Sequence, residues 1–208
     1  MELQYYGGNC VRLSTKKANI IIDDNLIELG GKTVTKAGDI ALFTGPHGEP
    51  GADVKLVIDQ PGEYEVSDVS IQGVAARAHI DEEGKKSTVM YRLLADDIRI
   101  AVLGHIYPYL SDDQLESLGT IDILIIPVGG NGYTLDPVGA LEVIKKIEPK
   151  IVIPTHYADG KLKYPVPAVS LEEAIKGLSM EPKETVEKLK VKGGELFGES
   201  TQLIVLNK

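Results

Sequence analysis

The residues that could do chemistry in this chain are four histidines, the Asp23-Asp24 pair, Glu49 and Cys10, and their places relative to apolar runs rank them. His156 comes first. It follows the apolar run Ile151 to Pro154 at the end of a stretch, Ile121 to Tyr157, that reads as strand, helix, strand. Ligands in sheet proteins with helical layers sit beyond such strand ends. His105 ends a run of the same kind, in Leu103-Gly104-His105. His47 and Glu49 stand two residues apart in GPHGEPG, Gly45 to Gly51, where two prolines fix the backbone and three glycines free it. Taken locally, that heptapeptide reads as a surface turn with an incidental histidine. His79, in Ala78-His79-Ile80-Asp81, reads as a strand-end surface residue outside the site. Asp23-Asp24 offers carboxylates to a cation, but acceptors for backbone N–H groups in a loop are the simpler reading. Cys10, alone, excludes an intramolecular disulfide and a cysteine-rich zinc cluster, and it reads as a small buried side chain. Gly129 to Gly132 lack the Lys-Ser/Thr of a phosphate loop and do not open directly onto a helix, so they read as turn chemistry.

Local signals place these residues on elements. Asp136 is the expected N-cap of a helix with Pro137 at its first position, and Glu148-Pro149 is its stop. Ser111 with Gln114, and Ser170 with Glu173, are capping boxes for helices running to about Leu118 and to Leu178. Strands are expected at Glu2 to Arg12, Asn19 to Asp23, Asp39 to Thr44, Val54 to Ile58, Gly62 to Val66, Val69 to Ala76, Thr88 to Leu94, Ile98 to Leu103 and Thr201 to Leu206. Lys188, Lys190 and Lys192 alternate with Leu189 and Val191 as a strand with a solvated face. No internal repeat is visible.

Composition bounds the function. With 208 residues, 43% of them hydrophobic, and no linker-like stretch, residues 1–208 are expected to form one domain. The net charge of -9 opposes non-specific attraction to nucleic acid or anionic membranes and disfavours a nuclease. The start MELQYYGG is unlike a signal peptide, and no run approaches the roughly 18 apolar residues of a membrane span. A cytoplasmic protein acting on a small-molecule ligand is expected.

The order of elements, together with YYGGNCVRL, PGEYEV, PVGGNGYTLD and PTHY, resembles the metallo-β-lactamase fold over most of residues 3 to 157, and within it the small lactonase-like hydrolases. The resemblance implies an α/β protein, a four-layer αββα sandwich with a metal site at one edge between the sheets. The family signature is His-x-His-x-Asp-His followed by single ligands at strand ends. Here Gly45 to Pro50 keeps the second histidine, has Glu49 for the aspartate and lacks the first and last histidines. His105 stands where family members have a bridging aspartate, Pro108 where many have a further histidine, and Gly7-Gly8 where many have glycine-histidine. His156 is unaltered.

The ligand set this implies is His47, Glu49, His105 and His156, with Glu49 ligating or accepting a proton from metal-bound water. Such a set suits one divalent ion, Zn first, with Mn or Fe as alternatives. Two readings are open. One is a one-metal hydrolase of a small ester, lactone or phosphorylated metabolite; the other is a non-catalytic descendant binding a small anion or a partner protein through the old cleft. Lys161, Lys163 and Arg77 are the candidate cations for either. Ligation requires the nitrogens of His47, His105 and His156 to lie within rotamer reach of one another, whereas rings held outward by other hydrogen bonds favour the second reading.

Overall fold

The computed structural model describes residues 1–194 and 200–208. In chain order its elements are β1 Glu2–Gly7, β2 Cys10–Ser14, β3 Asn19–Ile22, β4 Ile40–Leu42, β5 Leu56–Ile58, β6 Gly62–Val66, β7 Val69–Ala76, β8 Thr88–Ala95 and β9 Ile98–Val102. Then come α1 Asp112–Leu118, β10 Ile123–Pro127, α2 Pro137–Ile147, β11 Ile151–Thr155, α3 Leu171–Leu178, β12 Pro182–Val186, β13 Lys188–Lys190 and β14 Gln202–Leu206. The strands make two sheets, one ordered β13-β1-β2-β3-β4-β5 and the other β12-β14-β11-β10-β9-β8-β7-β6. One apolar cluster, including Leu3, Tyr5, Ile20 and Ile22 of the first sheet and Ile71, Met90, Ile100 and Ile125 of the second, runs between them.

Strand alternation explains the layers. Ile20 and Ile22 join the inter-sheet core, so Ile21 points the other way, where it meets Cys10 and Leu26 under Tyr6, Val34 and Leu162. The outer cover of the smaller sheet is therefore made of turns and loops. Helices cover the larger sheet: α2 packs on β10 and on α3, and Gly177 comes so close to Pro137 that a Cβ would sit 2.6 Å from the proline's own. β10 and β11 are buried at every position, as parallel strands covered on both faces must be. Burying each Ile or Leu in such a layer contributes about 1.5–3 kcal/mol. The fold class expected from the sequence, an α/β sandwich of the metallo-β-lactamase type, is the one observed.

All three caps form as written. Asp136 accepts from Gly139 N–H, and both capping boxes close. Two strand expectations change. Glu2 to Arg12 is not one strand but the hairpin β1–β2, broken at Gly7-Gly8, whose φ values of 109° and 58° carry the chain round. β12 was not expected, because PKETV is too polar to read as sheet; its place on the edge, beside β14 alone, tolerates both the charges and the proline.

Candidate functional site

β9, β10 and β11 are parallel neighbours, so the residues that follow them come out at one edge of the sheet. His105 follows β9, the turn Gly129 to Tyr133 follows β10, and His156 follows β11. The rings of His105 and His156 meet edge to face, with centroids 4.7 Å apart and planes at 89°. His156 has φ of 56°, a left-handed conformation uncommon outside glycine, and its N–H donates to Gly8 O at 2.7 Å. Gly129 makes that possible, because a Cβ there would lie 2.7 Å from His156 Nδ1 and collide with the His156 carbonyl oxygen. Tyr133 packs on His105 at 4.7 Å and Tyr164 on His156 at the same distance. The Tyr164 hydroxyl is fixed between Gly8 N–H, which donates to it, and Tyr157 O, which accepts from it.

A short relay sets the protonation of His105. Thr155 Oγ1–H donates to Asn9 Oδ1 at 3.0 Å, which turns the amide nitrogen toward His105 Nε2 at 3.3 Å. An amide nitrogen only donates, so Nε2 is the acceptor and the ring proton resides on Nδ1. That Nδ1, like His156 Nδ1, is buried with no hydrogen-bond partner. Both rings are neutral near pH 7. Burial pushes His105 down to about 3, helped by His156 and His79, and burial pushes His156 down to about 4.

Asn9, His105, Tyr133 and His156 form one wall of a cavity of about 500 Å³, whose other walls include Asp23, Thr44, Leu26, Ile80 and Lys163. Asp23 accepts from Thr44 N–H at 2.7 Å and from Thr44 Oγ1–H at 2.6 Å, yet burial still raises its carboxyl to about 6. Asp24 is the acceptor for Val34 and Thr35 N–H groups that the simpler sequence reading expects. Burial, then the charge of Glu28, raises the Tyr133 phenol above its ordinary value.

The four nominated ligands divide two and two. His105 and His156 line the cavity, and His47 and Glu49 do not. The His47 ring stacks on Phe43 with centroids 3.8 Å apart and planes at 7°, and its nitrogens face Gly48 O at 2.6 Å and Asp59 Oδ2 at 3.2 Å. Both nitrogens thus already meet oxygen acceptors. Glu49 is exposed. His79 donates its backbone N–H to His105 O, and its ring lies 6.0 Å from Tyr107. Of the candidate cations, Lys163 lines the cavity, Lys161 is exposed, and Arg77 is held by Asp81 O and the face of Tyr107. Among the described residues no group of three or more His, Cys, Asp or Glu is placed to hold a metal. The residues present therefore do not fit a catalytic centre of three protein ligands and a water. Asn9, Tyr133 and Tyr164 were not expected at the site; Asn9 and Tyr133 lie in the family-like stretches YYGGNCVRL and PVGGNGYTLD, but nothing in those stretches assigns them to the histidines, and Tyr164 lies in no such stretch.

Residues 2–156 match the domain family described as the beta-lactamase superfamily domain. The chain belongs to that family. It is 26% identical over 179 residues to a UPF0173 protein of Pyrococcus abyssi, covering 76% of this chain and 83% of that one. A UPF0173 metal-dependent hydrolase of Salinibacter ruber is 24% identical, over 76% of this chain and 84% of the relative. A UPF0173 metal-dependent hydrolase of Enterococcus faecalis is 37% identical, but over only 32% of this chain and 30% of its own length. Among solved structures, a metallo-β-lactamase superfamily protein of Thermotoga maritima superposes with a TM-score of 0.75 at 24% identity, covering 99% of this chain and 97% of that one. Igni18, a metallo hydrolase of Ignicoccus hospitalis, gives 0.61 at 18% identity over 86% and 90%. The expectation of a hydrolase-like protein of this fold holds at the level of the family. Such relatives imply a divalent metal, and the residues of this cavity disagree with it. No helix among the described residues is long and apolar enough to cross a membrane.

Proposed function

We propose that residues 1–208 act as one cytoplasmic domain that binds a small molecule in the cavity beyond β9, β10 and β11, without the metal that the relatives' names imply. One observation carries this reading: two imidazoles remain on the cavity while His47, the third, has both nitrogens turned to oxygen acceptors elsewhere. The enclosed, mixed polar and apolar lining is of the kind that holds small ligands. The net charge of -9 argues against nucleic acid as the partner.

A second reading keeps a specific observation on its side. The buried, unpartnered Nδ1 atoms of His105 and His156 lie on adjacent rings, and the relatives are named metal-dependent hydrolases. In that reading one ion, Zn first and Mn or Fe otherwise, serves hydrolysis of a small ester, lactone or phosphorylated metabolite, and His47 and Glu49 leave their present contacts to join it. Elemental analysis of untagged protein purified without added metal separates the two. We expect no stoichiometric divalent metal. About one equivalent, retained through purification and lost in His156→Ala, would overturn the first reading in favour of the second.

A further inference from the structure

Tyr133 lies between Gly129 to Gly132, which the sequence reads as turn chemistry, and Asp136, which it reads as a helix cap, yet Tyr133 lines the cavity. The turn holds it firmly. Tyr133 N–H donates to Gly130 O, Gly130 N–H to Leu135 O, and the Asn131 amide to Pro167 O across the neighbouring loop. Thr134 and Leu135 on one side of it are buried, and Asp136 is tied to α2 as its cap. The ring rests on His105 at 4.7 Å and lies 5.8 Å from His156.

Its hydroxyl is unlike those of the tyrosines around it. Tyr5 donates to Gly8 O, Tyr157 to Leu206 O and Tyr164 to Tyr157 O, each securing one piece of backbone at the site. Tyr133 makes no hydrogen bond through its hydroxyl among the described residues, and the half-buried residue lines the cavity, where the charge of Glu28, another lining residue, acts on its phenol. A ring fixed this closely, with an uncommitted donor, is the arrangement expected of a group reserved for a ligand.

We infer that Tyr133 is a ligand-contacting, specificity-determining residue, whose hydroxyl donates to an oxygen acceptor of a small ligand seated against the His105–His156 pair. This rests on the small-molecule reading of the cavity. The acceptor is a carbonyl, ester or phosphoryl oxygen, and the apolar part of the ligand lies toward Leu26, Leu29 and Ile80.

The test uses three probes on the full chain: cyclohexanone as a neutral acceptor, inorganic phosphate as an anionic one, and methylenecyclohexane, which has the shape of the ketone without its oxygen. NMR signals of the His105 and His156 rings report occupancy. Tyr133→Phe should weaken the ketone by about 3- to 10-fold, the worth of one neutral hydrogen bond, or phosphate by about 10-fold or more, the worth of one to a charged acceptor, and leave the hydrocarbon unchanged. Loss confined to the ketone or confined to phosphate identifies the acceptor as carbonyl-like or phosphoryl-like. Equal affinities in both proteins overturn the role of Tyr133 while the cavity reading stands. Failure of every probe to shift the ring signals of the unmodified protein overturns the cavity reading and this inference with it. Thermal unfolding serves as the control: because the hydroxyl has no partner, Tyr133→Phe should melt with the parent, and a large drop would show a structural role instead.

Discussion

The edge formed by His105 and His156 and the loop around His47 have histidines of the same chemistry and opposite fates. At the edge, three parallel strands deliver their ends side by side, and groups from other segments lock the residues just beyond those ends: the Asn9 side chain against His105, the Gly8 carbonyl on His156 N–H, the Tyr164 ring over the His156 ring. The Gly45 to Gly51 loop follows no such set of neighbouring strand ends; Asn25 Nδ2–H donates to Pro46 O at 3.4 Å, and His47 stacks on Phe43 and faces Asp59. Residues set by strand ends keep their relation to one another when a site changes. A histidine carried on a proline- and glycine-rich loop is free to find another partner.

The comparison predicts where substitutions will hurt. Gly129→Ala should be the most damaging, because the new Cβ meets the His156 backbone and ring and the packed edge cannot yield; a loss of about 1–3 kcal/mol in denaturant unfolding is expected, with shifted His105 and His156 ring signals. Gly48→Ala, in the loop, meets only Glu28 Oε1 at 3.5 Å and should change stability by less than about 0.5 kcal/mol. If the two cost the same, the contrast between rigid edge and adaptable loop fails.

Asp23, on the cavity wall, gives the next effect. Burial raises its folded-state pKa to about 6, so its contribution favours the folded protein most below the ordinary carboxylate range and is lost as pH climbs through 6. Asp23→Asn should flatten that limb of the stability–pH curve, by on the order of 2 kcal/mol between pH 4 and 8. Parallel curves for the two proteins would refute the assignment.

Asp136→Ala should cost about 1 kcal/mol through the lost cap on Gly139 N–H, with little change at the histidine rings. Loss of ligand binding at unchanged stability would move Asp136 from scaffold to site. His47→Ala should cost little, about 0.5 kcal/mol from the stacked ring, and should leave probe binding at His105 and His156 unaltered. Impaired binding in that variant would return His47 to the site and favour the metal-dependent reading.

Much of the scaffold was legible because its causes are local. Ser111 and Gln114, Ser170 and Glu173, and Asp136 with Gly139 are partners three residues apart, so both halves of each interaction stand together in the chain. The bounds of β6 and β7 are set by the turns that flank them, and the runs that became β10 and β11 are apolar at nearly every position because both faces are covered. The hairpin break at Gly7-Gly8 was missed because a glycine pair inside an alternating run does not say which way the chain will turn.

The site is another matter. Sequence order brought His105 and His156 to strand ends and, through family resemblance, to one edge of the sheet. It did not say that Asn9, 96 residues before His105 and 146 before Thr155, would choose the tautomer, or that His47 would turn both nitrogens to other oxygens. Nor did it mark Tyr133 as a cavity-lining tyrosine whose hydroxyl has no hydrogen-bond partner among the described residues. Backbone periodicity and caps are fixed by neighbours within a turn of the chain, whereas the direction of a hydrogen bond between distant side chains depends on distances of a few ångströms that only the packed sheets establish.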